Sequence, residues 1–259
     1  MTQPVTLAAH SGWYSDLWLR LCSAVLLLVA WQAGSWLAGG QVLPGPGAVA
    51  LSLYRHATVG QLWFHLGMTL WRVAASFVIA MTLGTALGIL MGQHRRADRL
   101  LDLWLVLGLN VPALVIMILC YVWLGLTEVA AIVAVAANKI PTVAVTMREG
   151  ARAVDRELLQ VADVLKLAWH RRLARVYLPQ LYPYLMASTR SGLALIWKIV
   201  LVVELLGRSN GVGFELYQFF SLFDITSILA YTAAFIIVVL TIEIVAVRPL
   251  ERRLTRWRQ

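Results

Sequence analysis

The sequence predicts an all-α integral membrane protein with six transmembrane helices. Hydrophobic residues make up 60% of the 259 residues and charged residues only 14%, and the mean hydropathy is +0.75. Soluble domains are about 45–50% apolar and about 25% charged, so a water-exposed fold cannot bury this much apolar surface. Six apolar runs approach the length of about 20 residues that crosses the hydrocarbon of a bilayer. Helices are predicted because they satisfy every backbone amide within each run.

We treat the chain as a single transmembrane domain over residues 1–259. The first apolar run lacks a basic region before it and a clear cleavage site after it, so we interpret it as a retained helix rather than a signal peptide. The predicted spans are 17–37, 66–91, 103–124, 129–145, 183–206 and 228–247.

The second and third spans each carry a feature beyond apolarity. Gly84, Gly88 and Gly92 recur at a spacing of four, which places small residues on one helix face and predicts close helix packing. Asn110 precedes Pro112 in the third span, where a proline removes a backbone hydrogen bond and frees a carbonyl. Interrupted helices of this kind are tolerated where they line a cavity.

The last three spans contain ionisable residues, which are rare and costly in a membrane. Asn138 and Lys139 lie near the middle of the fourth span, and Lys198 and Glu204 lie in the outer half of the fifth. Each ammonium must face water, an acid or a solute. We therefore predict that Asn110, Asn138, Lys139, Lys198 and Glu204 line a translocation pathway, with a buried ion pair as the open alternative for the charged residues.

The distribution of charge predicts the topology. Most of the 22 basic residues fall in the loop at 92–102, the loop at 146–182 and the tail after 248, and this accounts for the net charge of +9 without a nucleic-acid partner. Basic residues concentrate on the cytoplasmic side of membrane proteins. Both termini are therefore predicted to be cytoplasmic, and lipid is the predicted surface partner.

The loop at 148–182 is unlike the spans around it. Val154, Leu158, Val161 and Leu165 recur at spacings of three and four, which predicts an amphipathic helix with Asp155 as its N-cap. A second short amphipathic segment follows, and Pro179 is predicted to end it. Two interpretations stay open from the pattern alone, a basic helix on anionic lipid and a docking helix for a cytosolic partner.

This loop resembles the cytoplasmic EAA loop of binding-protein-dependent ABC importer permeases. Gln160, Val161 and Ala162 stand at the E-A-A position, and Leu178 and Pro179 close the motif. Two residues depart from the family pattern: Gln160 replaces the acid, and Lys166 replaces a glycine that would favour a turn with positive φ.

Further fragments resemble the nitrate, sulfonate and taurine branch of the same family in the same order. They include the segment from His65 to Val73, which is similar to H-L-x-x-S-L-x-R-V, and the segment 205–213, which is similar to E-M-L-G-x-x-x-G-L-G. The resemblance implies the type I ABC importer fold and an inner-membrane location. It also implies an ATPase-coupling helix over Glu157–Leu167, carried by Glu157, Gln160, Val161, Ala162, Asp163, Leu165, Lys166 and Leu167.

The resemblance further implies the partners. These are two ABC ATPase subunits that bind ATP and magnesium, a second permease copy, most simply a homodimer, and a periplasmic binding protein that delivers a small anion. The chain itself is then a non-catalytic subunit without a cofactor.

The residues disfavour two other function classes, a membrane enzyme or redox subunit and an ion-coupled carrier. A membrane enzyme or redox subunit would need paired histidines, a metal cluster or acidic pairs within the spans, whereas Cys22 and Cys120 are isolated and the five histidines are scattered. An ion-coupled carrier would show internal repeats and more spans. The glycines at 207–213 are not followed by GK[ST], so nucleotide binding by this chain is rejected.

Overall fold

The computed structural model of the chain describes residues 12–40 and 42–249, and every regular element in those ranges is a helix. Much of the predicted basic tail lies outside them. The helices are α1 (Gly12–Ala38), α2 (Pro46–Thr58), α3 (Leu62–Gln93), α4 (Arg95–Asn110), α5 (Ala113–Leu124), α6 (Glu128–Arg152), α7 (Arg156–Val164), α8 (Trp169–Arg172), α9 (Leu178–Gly207), α10 (Val212–Ser221) and α11 (Ile225–Ile242). Two π-helical segments, Leu173–Tyr177 and Glu243–Val247, lead into α9 and extend α11.

Helices α3, α6 and α9 form the centre of the molecule. Their facing side chains, among them Val73, Val135 and Ile196, are buried in one apolar cluster, which α5, α10 and α11 extend. Alanine occupies much of the α6 face in this cluster, so the helix axes approach closely. The centre of the bundle is therefore built from the second, fourth and fifth predicted spans.

Gly84, Gly88 and Gly92 lie on the face of α3 that contacts α6. A Cβ atom added at Gly84 would lie 2.6 Å from Val143 Cβ, and one added at Gly88 would lie 2.5 Å from the carbonyl oxygen of Ala144. The glycines permit this contact because they lack a side chain. Since the face is occupied within one chain, it gives no support to the predicted contact with a second permease copy.

The third predicted span is bent rather than straight. Helices α4 and α5 meet at an angle of 99° around Val111 and Pro112. Pro112 has no amide hydrogen and excludes the residue before it from the helical region, and Val111 is accordingly extended (φ −70°, ψ 125°). The expected interruption at Pro112 is present, and a membrane crossing over 103–124 stays a prediction.

Helix α2 lies between the first and second predicted spans, where the apolar pattern predicts no transmembrane helix. Pro46 occupies the first turn, where its missing amide costs nothing. The helix packs on α11, and His56 Nε2 lies 3.0 Å from Ser227 Oγ. Helix α2 has only 13 residues, too few for its apolar spacing to indicate the contact with α11 from the sequence.

The end of the long loop also differs from the prediction. Pro179 lies in the first turn of α9 and does not end a helix, because the π-helical segment runs directly into α9. A proline in a first helical turn needs no hydrogen-bond partner for its nitrogen. Pro183 is accommodated inside α9, which begins five residues before the predicted fifth span.

By length and apolar composition, four helices of the described chain are able to cross a membrane. They cover Leu21–Ala38, Leu62–Gln93, Glu128–Arg152 and Ile225–Val247, and the bent α4–α5 pair would bring the number to five. The described structure is therefore all-helical, with four or five crossings possible by length and composition, while a count of six stays a prediction.

Candidate functional site

Three features of the bundle bear on function: a buried polar cluster around Arg72, the lysine at the middle of α6, and the exposed face of α7. The cluster lies where α3, the start of α6 and the end of α9 meet. The α7 face lies at the opposite end, which we call the basic end because α4, the end of α6 and α7–α8 carry the arginine-rich loops.

Arg72 is 1% exposed and donates all of its guanidinium hydrogens. Its Nε and Nη2 atoms form a bidentate pair with Glu128 at 2.8 and 2.7 Å. Its Nη1 atom donates to Glu204 Oε1 at 2.6 Å and to the carbonyl oxygen of Asn210 at 2.9 Å. The Asn210 side-chain oxygen accepts the remaining hydrogen. A charge this deeply buried is stable only when paired in this way.

Glu204 is completely buried and joins α9 to the start of α10. Besides Arg72, its carboxylate accepts from Thr69 Oγ1 and from the backbone N–H of Gly213, both at 2.9 Å. The next two amides of this turn are also satisfied from α3: Val212 N–H donates to Thr69 Oγ1, and Gly211 N–H donates to His65 Nδ1. A carboxylate at a helix N-terminus is favoured by the helix dipole.

This cluster was only partly foreseen. Glu204 was expected to line the pathway or to form an ion pair, and its partner is Arg72 on α3 rather than Lys198. Arg72 itself was overlooked, although it lies inside the predicted second span, where any arginine demands a partner. Glu128, one residue before the fourth predicted span, was the acid in the sequence that could have indicated a partner for Arg72.

Lys139 has the opposite character to Arg72. The side chain is 1% exposed, and its Nζ atom has no hydrogen-bond partner in the described part of the chain. It points from α6 toward α9, where a Cβ atom added at Gly192 would lie 3.0 Å from Lys139 Cε. Ser188 Oγ, one turn before Gly192, is buried and likewise has no partner. Lys139 therefore places a buried amino group without an acceptor at the middle of the bundle.

The other predicted pathway residues do not gather around Lys139. Lys198 is exposed and borders a lateral groove between α9 and α11 that Glu243 also lines, and Glu243 forms its ion pair with Arg248 at 3.7 Å. Asn110 is exposed at the α4–α5 bend, where its amide donates to the Val106 carbonyl at 2.7 Å. Asn138 is half-buried beside Lys139.

Helix α7 presents apolar side chains outward. Leu158, Val161 and Leu165 are 50%, 54% and 66% exposed, whereas Ala162 is 3% exposed and faces the bundle. Asp155 caps the helix by accepting from Glu157 N–H at 2.8 Å. Exposed apolar residues clustered on one helix face are typical of an interaction surface. Of the predicted coupling residues, Ala162 is the one that presents no surface to a partner.

The remaining coupling residues lie on or just beyond the same helix. Gln160 and Asp163 are exposed, Asp163 pairs with Arg172 at 2.5 Å, and Leu167 is half-buried.

Lys166 stands where the turn after α7 needs an unusual backbone. Its φ is +49°, in the left-handed region. Its N–H donates to Asp163 O at 2.9 Å, and the Leu167 N–H donates to Ala162 O at 3.1 Å. These two bonds define a Schellman motif, in which the left-handed position is usually glycine. The lysine therefore makes the same turn that a glycine would make, at the cost of a strained backbone.

Comparison with known proteins places this architecture in a family. A sequence model described as the binding-protein-dependent transport system inner membrane component matches residues 84–255. The chain belongs to this family. The resemblance found in the sequence to ABC importer permeases of the sulfonate and taurine branch is thereby confirmed.

Relatives and a solved structure agree with that assignment. The permease is 32% identical to the putative aliphatic sulfonates transport permease protein of Bacillus subtilis (strain 168), over 95% of this chain and 88% of the relative. It is 28% identical to the taurine transport system permease protein of Escherichia coli (strain K12), over 90% and 87% of the two chains. A crystal structure of an amino acid ABC transporter with histidines shares the fold at 19% identity, with a TM-score of 0.63, over 78% of this chain and 97% of that one.

Proposed function

We propose that this permease is the membrane-spanning subunit of an ATP-driven importer for a small sulfonate-type anion. Two copies of the chain would pair with two ATPase subunits in a bacterial inner membrane, with six crossings per copy and both termini in the cytoplasm. A periplasmic binding protein would deliver the anion. The main observation in support of this proposal is the exposed apolar face of α7 in a chain of this family. The sulfonate assignment is supported by what the two relatives are named as transporting.

In this proposal α7 is the mechanical link to the ATPase. Leu158, Val161 and Leu165 would enter an apolar groove of that subunit, while Ala162 holds α7 on the bundle from the other side. When ATP binding draws the ATPases together, α7 would carry the movement through the π-helical segment to α9, which is continuous with it. The energy comes from the different stabilities of the two states with and without nucleotide.

Lys139 is proposed to supply the positive charge for an anion at the middle of the bundle. A bare ammonium without an acceptor is costly in an apolar setting, so a state that admits an anion beside Nζ is stabilised. Gly192 leaves room for the lysine side chain. Lys198, Asn110 and Asn138 would then border the route, with Lys198 at the groove of α11.

The docking role of α7 is tested by reversing the character of its outer face. Val161→Arg in the complete complex is expected to abolish co-purification of the ATPase and solute-stimulated ATP hydrolysis, because a charge would enter an apolar groove. Val59→Arg is the matched control, since Val59 is 90% exposed at the opposite end of the bundle. Equal ATPase retention by both variants would exclude α7 as the link. An Ala162→Arg variant would not test docking, because Ala162 is buried and a charge there would disturb folding instead.

A further inference from the structure

The basic end of the bundle contains a cavity that none of the predicted pathway residues lines. It has a volume of about 1010 Å³ and lies between the end of α3, the start of α4, the end of α6 and the α7–α8 segment. The charged side chains that line it are Arg95, Arg99, Arg152, Arg156, Arg172 and Asp98. A cavity of this size is at the upper end of the range found for bound small molecules.

The cavity carries an excess of positive charge. Arg152 is neutralised by Asp98 at 2.6 Å and by Glu149 at 3.2 Å, and Arg172 by Asp163. Within the described residues, Arg95 and Arg99 on α4 and Arg156 on α7 form no ion pair. Three guanidinium groups from two elements thus border one cavity, and such groups favour bidentate binding of a phosphate.

The rest of the lining is apolar. Met91 and Val154 are buried beneath the cavity, Leu159 and Leu173 form its sides, and Trp169, 77% exposed, stands at its edge. A small hydrated anion would leave this apolar wall in contact with water. A molecule with both a phosphate and hydrocarbon satisfies the guanidinium groups and the wall together.

We propose that this cavity is a binding site for an anionic phospholipid. The headgroup phosphate is held by Arg95, Arg99 and Arg156, and the first part of the acyl chains covers the apolar wall beside Trp169. The apolar helices α3 and α6 end at the cavity, at the level where a lipid headgroup meets a basic protein surface. The lipid contacts α7 through Arg156 and Leu159, which both line the cavity, and so supports that helix.

The test is native mass spectrometry of the purified full-length chain in detergent, titrated with phosphatidylglycerol or with phosphatidylcholine. Phosphatidylglycerol is expected to bind the unaltered chain at least tenfold more tightly than phosphatidylcholine. Arg95→Gln with Arg99→Gln is expected to remove that preference, and Arg156→Gln, on a different helix, to weaken it in the same direction. All three arginines are exposed, so these changes leave the buried core intact.

Two controls separate the site from surface charge and from a soluble anion. Arg96→Gln with Arg175→Gln removes two exposed arginines from the same end of the molecule without touching the cavity lining, and should change binding less than twofold. An equal loss in this control would overturn the site. Glycerol phosphate, which has the headgroup charge without acyl chains, should not displace the lipid at millimolar concentration. Displacement would identify the cavity as a small-anion site and refute the lipid proposal.

Discussion

The buried ion pair of Arg72 and Glu204 connects helices of the bundle. Arg72 holds two carboxylates from two other helices, and Glu204 uses its remaining capacity on the first turn of α10. Each nitrogen of the Arg72 guanidinium and each oxygen of the Glu204 carboxylate has a hydrogen-bond partner. The cluster therefore keeps α3, α6 and α9 in one arrangement at the end of the bundle where α10 begins.

We predict that Arg72→Met lowers the free energy of unfolding by about 3–5 kcal/mol, because it leaves the Glu204 carboxylate buried without its cation. The double variant Arg72→Met with Glu204→Gln should recover a large part of that loss, since the orphaned charge is gone. Thermal unfolding in detergent measures both, with the exposed Arg175→Met as control. A double variant no more stable than the single one would contradict the pairing explanation.

For Lys139 we expect the opposite of Arg72: removing the charge should impair transport and not stability. Lys139→Met keeps an unbranched side chain, one atom shorter, and removes an ammonium that has no partner in the described residues, so unfolding stability should not fall. Uptake by the reconstituted complex should drop at least tenfold, equivalent to about 1.4 kcal/mol in the barrier.

Lys198→Met is expected to reduce uptake less, because Lys198 is exposed and lies at the groove of α11. Assembly and basal ATP hydrolysis are measured in both variants. Normal uptake by both, or failure of both to assemble, would leave Lys139 and Lys198 with a structural role only.

At the level of the helices, the α3–α6 contact depends on the absence of side chains. The obstacles to a Cβ atom at Gly88 are the carbonyl of Ala144 and the backbone nitrogen of Arg148, which cannot move away as a flexible side chain would. Gly67 is on the same helix, but nothing lies within 4 Å of its added Cβ. Comparing substitutions at the two glycines therefore distinguishes the effect of helix packing from the effect of helix propensity.

Gly88→Ala should lower the free energy of unfolding by about 1–3 kcal/mol through overpacking. Gly67→Ala should leave stability unchanged or raise it by up to about 1 kcal/mol, because alanine is the better helix former. Unfolding of each variant in the same detergent gives the comparison. If both substitutions prove neutral, the helices are able to separate and the contact is not tight.

Among the elements, amphipathic α7 was predicted from its period, and the N-cap at Asp155 was read from the same stretch. Which face of α7 points outward was not visible, because Leu158 and Val161 match the pattern of a core stripe equally well. The short α2 was not predicted, and for the predicted interruption at Pro112 the angle of 99° was not. Their form depends on packing against α11 and on the path of the chain after a proline, neither of which apolar periodicity reports.

For the whole molecule, the arginine-rich loops gather at one end of the bundle and the Arg72 cluster lies toward the other. The positive-inside rule assigns the basic end to the cytoplasm. Val59, between α2 and α3, and Arg171, in α8, are exposed markers of the two ends.

In a background without Cys22 and Cys120, we predict that Val59→Cys reacts with a membrane-impermeant maleimide in intact cells. Arg171→Cys should react only after the membrane is permeabilised, because the reagent cannot reach the cytoplasmic side. Labelling with the opposite pattern would invert the topology and place α7 where no ATPase could reach it.

The amino-acid sequence alone predicts a helical membrane protein, the end of the molecule that is basic, and membership of the importer permeases. Composition, apolar run length and local motifs carry those facts, because each depends on residues close together in the chain. The folded molecule was needed to see that Glu204 pairs with Arg72, that the glycine face is used within one chain, and that arginines from α4 and α7 border one cavity. Those contacts join residues more than 50 positions apart, and the pairing of distant helices is settled by packing and by the cost of leaving a buried charge alone.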